Sequence, residues 1–271
     1  MDKFKKAKLL KIKSKHRILS HLEGIHKTFI FGEEDDLKNI REYTYGDDIR
    51  NINWIITARE RKPFVVEREE IKCQNVKVVL FVDQEFLFKN KLERLIEVFS
   101  LIGYSVLYQK DRLEVFIVSN GLQKYFKHRN SHLVVDEAVD FLLSMDLKNL
   151  KIKPKDSLNF ISKGKRSLVI LVGDFVFSID LSPLLHKHKL YLIRIRDKEE
   201  EYPDIYRGYQ LRSFDEKRKI PYLKKDMIKR YTANLKEIDE KLNSFLTAHR
   251  IPNTKIYTEE DPLIKLKKPF S

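Results

Sequence analysis

Asp83, Asn120 and Asp174 each stand at the end of an apolar, strand-like run, and they are the first candidates for chemistry in the sequence. Open α/β sheets bind their ligands outside the carboxyl ends of the strands. These three side chains are therefore expected along one edge of a sheet, where they offer oxygen atoms to a ligand. The sequence predicts this edge as the first place for a functional site.

A second group of residues lies between Arg41 and Arg59, where opposite charges crowd around a single Trp and indicate a tightly specified local structure. Gly46 permits a turn, and Asp47 or Asp48 is expected to accept hydrogen bonds from the open amides of a following helix that carries the later arginines. The group forms either an interaction surface or a set of buried ion pairs and a Trp anchor that tie the segment to the rest of the protein. The signature residues are Arg41, Glu42, Tyr43, Gly46, Asp47, Asp48, Arg50, Trp54 and Arg59.

This signature resembles that of the domain of unknown function 58 family, with Arg-Glu-Tyr, two residues, Gly-Asp-Asp, one residue, Arg, then Trp and Ala-Arg. The resemblance is strong over roughly residues 32–70 and looser over the rest of the chain. It implies a von Willebrand factor A-like domain joined to a short signature segment. Many members of the family carry membrane helices ahead of the signature, so this chain is similar to a short, soluble form.

The resemblance also implies a metal-ion-dependent adhesion site, in which strand-end oxygens hold magnesium together with water and a partner's carboxylate. The family run Asp-x-Ser-x-Ser is matched by Asp83-Gln-Glu-Phe-Leu87, Asp174 matches the later aspartate, and no loop threonine is assignable. Two interpretations stay open. One is a divergent magnesium site made of Asp83, Glu85 and Asp174. The other, which is favoured because leucine cannot ligate a metal, is a degenerate site whose acidic groups are solvated or paired with lysine.

Strand-like and helix-like patterns alternate after residue 74, which is typical of a doubly wound parallel sheet. The predicted fold is therefore α/β, with a von Willebrand A-like (Rossmann-like), mainly parallel sheet at 74–271 and a basic N-terminal and signature region at 1–73. Predicted strands lie at 64–69, 76–82, 113–118, 167–172 and 190–195, and predicted helices at 91–109, 131–146, 180–188 and 226–249.

The chain is strongly basic, with 54 Lys+Arg against 40 Asp+Glu and a formal charge of +14, which favours anionic partners. Eight of the first 17 residues are Lys or Arg, so this segment is either a solvated helix or a contact to an anionic surface. The single cysteine, Cys73, cannot form an internal disulfide. No apolar run reaches the roughly 20 residues of a membrane span, so we expect a cytoplasmic protein, either free or peripheral to the membrane.

Motifs of common enzyme classes are absent from the sequence, including the phosphate-binding Gly-rich loop, His-Glu-x-x-His and Gly-x-Ser-x-Gly. We therefore expect a non-enzymatic protein with no cofactor other than the magnesium considered above. By resemblance, it is an interaction module, because relatives are typically encoded beside MoxR-type AAA+ ATPases and are thought to act as their adaptors in assembling or activating client proteins. The alternative is a basic peripheral protein that binds an anionic membrane surface or nucleic acid.

Overall fold

The computed structural model describes residues 37–45, 47, 49, 52–68, 74–129, 131–203, 210–212, 219–222 and 224–267. The chain divides into two compact units, one within residues 31–73 and the other holding the described residues from 74 onward. The basic segment at 1–17 and the signature residues Gly46, Asp48 and Arg50 lie outside the described residues.

The small unit consists of an antiparallel strand pair and one short helix. Strand β1 (Leu37–Glu42) pairs with β2 (Phe64–Arg68), and helix α1 (Trp54–Glu60) lies between them in sequence. The predicted strand at 64–69 is therefore present as β2. None of the residues of α1 is buried.

Helix α1 is capped by Asn53, the residue directly before it. The Asn53 side-chain oxygen accepts hydrogen bonds from the amides of Ile55 and Ile56, at 3.1 and 3.2 Å. This satisfies two of the amides that lack a partner at a helix start. Asp47 does not cap this helix, because its carboxylate bonds to Arg41 and Thr44 instead. Asp48, the other predicted cap, lies outside the described residues.

The large unit is built on a mixed, mostly parallel sheet of six strands. In chain order, the described strands of the large unit are β3 (Asn75–Phe81), β4 (Arg112–Ser119), β5 (Gly121–Arg129), β6 (Leu168–Gly173), β7 (Lys189–Arg196), β8 (Gln210–Arg212), β9 (Lys219–Tyr222) and β10 (Asn253–Tyr257). β8 and β9 form a separate antiparallel pair, and the other six run in the order β10-β7-β6-β3-β4-β5. Neighbours in this order are parallel, except that β4 and β5 are antiparallel.

Helices cover both faces of this sheet. A 3-10 helix (Gln84–Leu87) follows β3, and the α-helices are α2 (Lys91–Tyr108), α3 (Leu133–Ser144), α4 (Lys155–Ile161), α5 (Ser182–Leu185), α6 (Lys198–Glu201), α7 (Lys225–Ala248) and α8 (Pro262–Lys267). Side chains of α2, α3 and α8 form one apolar core with the sheet, and those of α4, α5 and α7 form a second core on its other face.

The central strand β3 explains why the apolar runs in the sequence are nearly continuous. Val78 and Leu80 point into the first core, whereas Val79 and Phe81 point into the second, and all four are fully buried. A strand covered on both faces has no solvent side for polar residues to occupy. The buried strands therefore give the strongest strand signals in the chain.

The predicted doubly wound α/β fold is confirmed, and its central strands β3, β4, β6 and β7 lie where the sequence placed them. The sequence did not predict β5 and β10, which are the two edges of the sheet. Edge strands are covered less completely, so their apolar residues form no continuous run. Within the described part of the chain, no helix has both the length and the apolar character needed to cross a membrane.

Candidate functional site

Two neighbouring parallel strands of the large unit are followed by buried aspartates. Asp83 comes shortly after β3 and Asp174 directly after β6, and the two strands pair in parallel, so both side chains lie at the same sheet edge. Asp83 is 8% exposed and Asp174 is 1% exposed. Asn120 differs from them, because it lies in the exposed turn of the β4–β5 hairpin, where its side chain accepts a hydrogen bond from Gln123 at 2.6 Å.

The residues after Asp83 form the short 3-10 helix. The Asp83 carboxylate accepts a hydrogen bond from the amide of Glu85 at 3.1 Å and so caps this helix. Glu85 is half-buried, and Leu87 packs against the first apolar core. The position that matches the second serine of the family pattern is therefore a packing position here.

The two residues that flank Asp174 determine the backbone conformation at this position. A Cβ on Gly173 would lie 2.9 Å from the Phe81 Cβ, so β6 needs glycine to approach β3 this closely. Phe175 has a positive φ of 55°, a conformation that costs energy for a residue with a bulky side chain. Its buried ring stacks on Phe177, at 5.7 Å between centroids, which helps to hold the turn.

Lys91, the first residue of α2, is fully buried, and its ammonium group contacts two carboxylates. Its Nζ lies 3.3 Å from Oδ2 of Asp174 and 2.9 and 2.8 Å from the two carboxylate oxygens of Glu200. We refer to Asp83, Glu85, Lys91, Asp174 and Glu200 as the strand-end cluster. The sequence predicted its three carboxylates near β3 and β6 but neither Lys91 nor Glu200.

Glu200 reaches Lys91 because it lies on the short helix α6, directly after β7. Asp197 caps this helix by accepting a hydrogen bond from the amide of Glu199 at 2.9 Å. The other Asp197 oxygen accepts a hydrogen bond from the hydroxyl of Thr258, just beyond β10. The strand-end cluster therefore receives residues from the ends of β3, β6 and β7 and from the start of α2.

Burial and charge determine the protonation of this cluster. Burial raises the pKa of Asp83 to about 7, and the nearby negative charge of Asp174 adds to the effect. Burial would lower the pKa of Lys91, but the carboxylates of Asp174 and Glu200 outweigh it and raise that pKa above its usual value. Lys91 therefore carries a positive charge at neutral pH, while Asp83 lies close to its midpoint.

The residues of the strand-end cluster do not fit the magnesium site that the resemblance implied. Magnesium requires about six oxygen ligands in a near-ideal octahedron. Here the Lys91 ammonium already contacts Asp174, and Leu87 supplies no oxygen. Among the described residues, no three His, Cys, Asp or Glu side chains are arranged to hold a metal ion.

A second polar cluster, which the sequence analysis missed, lies beneath α7 at the end of β7. Arg194 and Arg196 are 6% and 0% exposed, and both lie close to Asp239 of α7. Oδ1 of Asp239 is 2.8 Å from Nη2 of Arg196, and Oδ2 is 3.3 Å from Nζ of Lys255 on β10. Three cations therefore share the Asp239 carboxylate between α7 and the sheet. Glu201 adds a second carboxylate, at 2.7 Å from Lys255.

In the small unit, the signature residues make an ordered ion pair. Arg41 donates two hydrogen bonds to the two carboxylate oxygens of Asp47, at 2.7 and 2.8 Å. Asp47 also accepts hydrogen bonds from the amide and the hydroxyl of Thr44, at 2.8 and 2.9 Å. The Arg41 guanidinium, followed by the Thr44 groups, holds the pKa of Asp47 well below its usual range. This bidentate pair fixes the turn after β1.

Other signature residues link the ends of the small unit. The amide of Tyr43 donates to the carbonyl of Pro63 at 2.8 Å, and Glu42 pairs with Lys62 at 2.9 Å. Arg59 is exposed in the last turn of α1. The first two contacts join the end of β1 to the start of β2 and so define the pairing of the two strands.

Trp54 is not buried within the small unit. It is the first residue of α1 and is 67% exposed. The hypothesis that it ties the signature segment to the sheet domain stays a prediction. Ile55 beside Trp54 is 83% exposed, and Ile49 and Tyr45 are 63% and 104% exposed. We refer to Tyr45, Ile49, Trp54 and Ile55 as the exposed signature residues.

Two signals in the sequence point to the missed members of the strand-end cluster. A lysine in the first turn of a helix opposes the helix dipole, so Lys91 at the start of α2 implies a nearby carboxylate. The run Asp197-Lys-Glu-Glu-Glu directly after a buried strand places several carboxylates at the same sheet edge. What the sequence does not reveal is the pairing of Lys91 with Glu200, which are 109 residues apart.

The sheet order, the two covered faces and the strand-end cluster define an α/β protein with a von Willebrand A-like, Rossmann-like fold. Residues 39–234 match the family described as Protein of unknown function DUF58, and the chain belongs to that family. No curated protein matches the chain.

Proposed function

We propose that this protein is a non-enzymatic protein-interaction module and that the exposed signature residues are its docking surface. The observation that carries the proposal is the exposure of Tyr45, Ile49, Trp54 and Ile55 within eleven positions of a segment whose turn is fixed by an ion pair. Large apolar and aromatic side chains that a fold leaves in water are typical of protein interfaces.

The partner we propose is a MoxR-type AAA+ ATPase, with the chain acting as its adaptor in the assembly or activation of client proteins. The family resemblance supports this partner, and the strand-end cluster supports a role without chemistry of its own. Lys91 and Asp174 are buried, and the Lys91 ammonium bonds to both Asp174 and Glu200, whereas a catalytic group must reach its substrate. In this proposal the ATPase supplies the chemistry and the chain supplies the contact surface.

Binding measurements with variants test the docking surface. A MoxR-type AAA+ ATPase from the same organism is immobilised with bound nucleotide, and association of the wild type is compared with that of Trp54→Ala. We expect at least roughly tenfold weaker binding, because truncating an aromatic anchor costs about 2 kcal/mol or more. The melting temperature should stay nearly unchanged, since the ring is mostly in water.

The matched control is Leu133→Ala, which truncates an apolar residue of the large unit that is 59% exposed. It should bind the ATPase as the wild type does. Equal binding by wild type and Trp54→Ala would refute the proposed docking surface. Equal weakening by Leu133→Ala would show that the loss is a general effect of removing exposed apolar area.

The second candidate is contact with an anionic surface, and the formal charge of +14 favours it. Deleting residues 1–17 should then reduce retention on anionic liposomes, because each basic side chain near such a surface adds about 1 kcal/mol. Retention that persists without this segment, or that resists moderate salt, counts against the candidate. ATPase binding should survive the same deletion if the signature is the docking surface.

A further inference from the structure

We infer that the Lys91 ammonium is a built-in cation that takes the place of a divalent metal in the strand-end cluster and makes this edge independent of metal. The inference concerns the site itself, so it stands whether or not the proposed ATPase partnership holds. It rests on the position of Lys91, which is fully buried between the carboxylates of Asp174 and Glu200.

The ammonium group makes the same structural links that a bound metal ion would make. It joins the start of α2 to Asp174 at the end of β6 and to Glu200 on α6. Its side chain also passes the ring of Phe86, with Nζ 5.4 Å from the centroid, so the 3-10 helix after β3 contacts the same cation. Three strand ends are thus held together by one covalently attached positive charge.

The position of Lys91 is energetically unfavourable unless carboxylates lie close to its ammonium group. A positive charge in the first turn of a helix is opposed by the helix dipole, and a buried ammonium loses its hydration. Both costs are offset where two carboxylates surround the ammonium, as Asp174 and Glu200 do. The same carboxylates would repel each other without a cation between them, so the lysine and the acidic residues depend on one another.

The Lys91 ammonium also excludes a metal ion from the cluster. A divalent ion would have to bind Asp174 at about 2.1 Å while a positive charge already lies 3.3 Å from that carboxylate. Electrostatic repulsion and the closed packing both act against it. No metal ion at this edge is then available to coordinate a carboxylate of a partner protein. Binding of a partner to this edge should therefore be unaffected by a chelator.

Removing the ammonium and supplying a free cation tests the inference. Thermal melting is followed for wild type and Lys91→Ala in three separate conditions: with a chelator, with millimolar Mg²⁺ and with millimolar Mn²⁺. We expect the wild-type melting temperature to be the same in all three conditions. Lys91→Ala should melt lower by roughly 10 °C and regain part of this loss with the divalent ion or with ethylammonium, because the carboxylates again have a cation.

Lys77 provides the matched control, since it is also a buried lysine but, among the described residues, no carboxylate bonds to its ammonium. Its Nζ donates to the carbonyl oxygens of Ile161 and Lys163, at 2.6 and 2.7 Å. Lys77→Ala should be destabilised and should gain nothing from a divalent ion. In the double variant Lys91→Ala with Asp174→Asn, the gain from the metal should also disappear.

Three outcomes would overturn the inference. One is saturable stabilisation of the wild type by Mg²⁺ that a chelator reverses. Another is a Lys91→Ala variant that folds and melts as the wild type does, and the third is equal rescue of Lys91→Ala and Lys77→Ala. If Lys91→Ala fails to fold, calorimetric titration of the wild type with Mn²⁺ decides instead. No heat up to millimolar metal supports the inference, whereas micromolar binding that Asp174→Asn abolishes contradicts it.

Discussion

At the scale of single residues, the two buried aspartates of the strand-end cluster differ in their contacts. Asp174 touches the Lys91 ammonium directly, whereas Asp83 caps the 3-10 helix and accepts a hydrogen bond from a neutral amide. Burial raises the pKa of Asp83 to about 7, and among the described residues no cation bonds directly to this carboxylate to offset the effect. The negative charges of Asp174 and Glu85 favour its protonation, and the Lys91 charge opposes it.

The pH dependence of stability should reveal this carboxyl group. Between its ordinary pKa of 3.8 and the folded value of about 7, Asp83 keeps a proton in the folded state that it has released in the unfolded state. Its contribution to the free energy of unfolding therefore falls as the pH rises through this window and levels off above it. Asp83→Asn removes the group but preserves an acceptor for the amide of Glu85. Melting curves between about pH 4 and pH 8 should show the variant gaining on the wild type as pH increases.

The control for this experiment is Asp146→Asn, which removes an exposed carboxylate that likewise accepts a backbone hydrogen bond, at 3.1 Å from the amide of Lys148. Its melting temperature should run parallel to that of the wild type across the pH range. A constant difference between Asp83→Asn and the wild type would mean that Asp83 titrates near its ordinary pKa.

At the scale of elements, one half-buried carboxylate links helix α7 to the sheet. Asp239 faces Arg194, Arg196 and Lys255, which come from the neighbouring strands β7 and β10. The apolar side chains Leu242 and Leu246, one and two turns further along, pack into the second core. Buried apolar residues therefore occur along the whole length of α7, and Asp239 adds an ionic contact near its middle.

Asp239→Ala should destabilise the large unit by about 3–5 kcal/mol, because it leaves buried arginines without their counter-charge. Chemical denaturation measures this loss directly. Glu237→Ala is the control on the same helix, since Glu237 pairs only with the exposed Lys241 at 2.7 Å. The control should unfold at nearly the same denaturant concentration as the wild type. Equal effects of the two substitutions would show that the arginine cluster is not a major support of α7.

The sequence revealed the elements whose burial is complete and missed those defined by contacts between distant residues. The runs that became β3 and β6 are largely apolar on both faces, and the stripe of α2 repeats at helical spacing, so local patterns were sufficient. β10 lies at an edge and pairs with β7, about 60 residues earlier in sequence, which no local pattern specifies. The pairs Lys91–Glu200 and Arg196–Asp239 were missed for the same reason.

Within the signature, too, the sequence predicted some structural features and not others. The density of charge around residues 41–59 indicated a specified structure, and the bidentate pair of Arg41 and Asp47 accounts for part of it. The hydrophobicity of Trp54 suggested burial, yet the ring is 67% exposed. Residue type alone does not distinguish an aromatic anchor in a core from one offered to a partner.

At the scale of the whole molecule, the chain combines a closed strand-end edge with an exposed segment outside the sheet domain. In the large unit, two of the carboxylates at the strand ends, Asp174 and Glu200, share the buried Lys91 ammonium. In the small unit, the exposed signature residues carry large apolar surface that no described neighbour covers to any large extent. In the function that we propose, the signature is the binding surface and the strand-end edge takes no part in binding.

Hydrogen–deuterium exchange with and without the nucleotide-bound MoxR-type ATPase tests this account most directly, because it locates the contact on the unmodified chain. We predict slower exchange on binding in peptides that cover Tyr43 to Glu60. The peptides that cover Asp83–Phe88 and Gly173–Phe177 should exchange at unchanged rates, with or without a chelator added after nucleotide loading. Protection confined to those strand-end peptides, or no protection anywhere at saturating ATPase, would contradict the assignment of the signature as the docking surface.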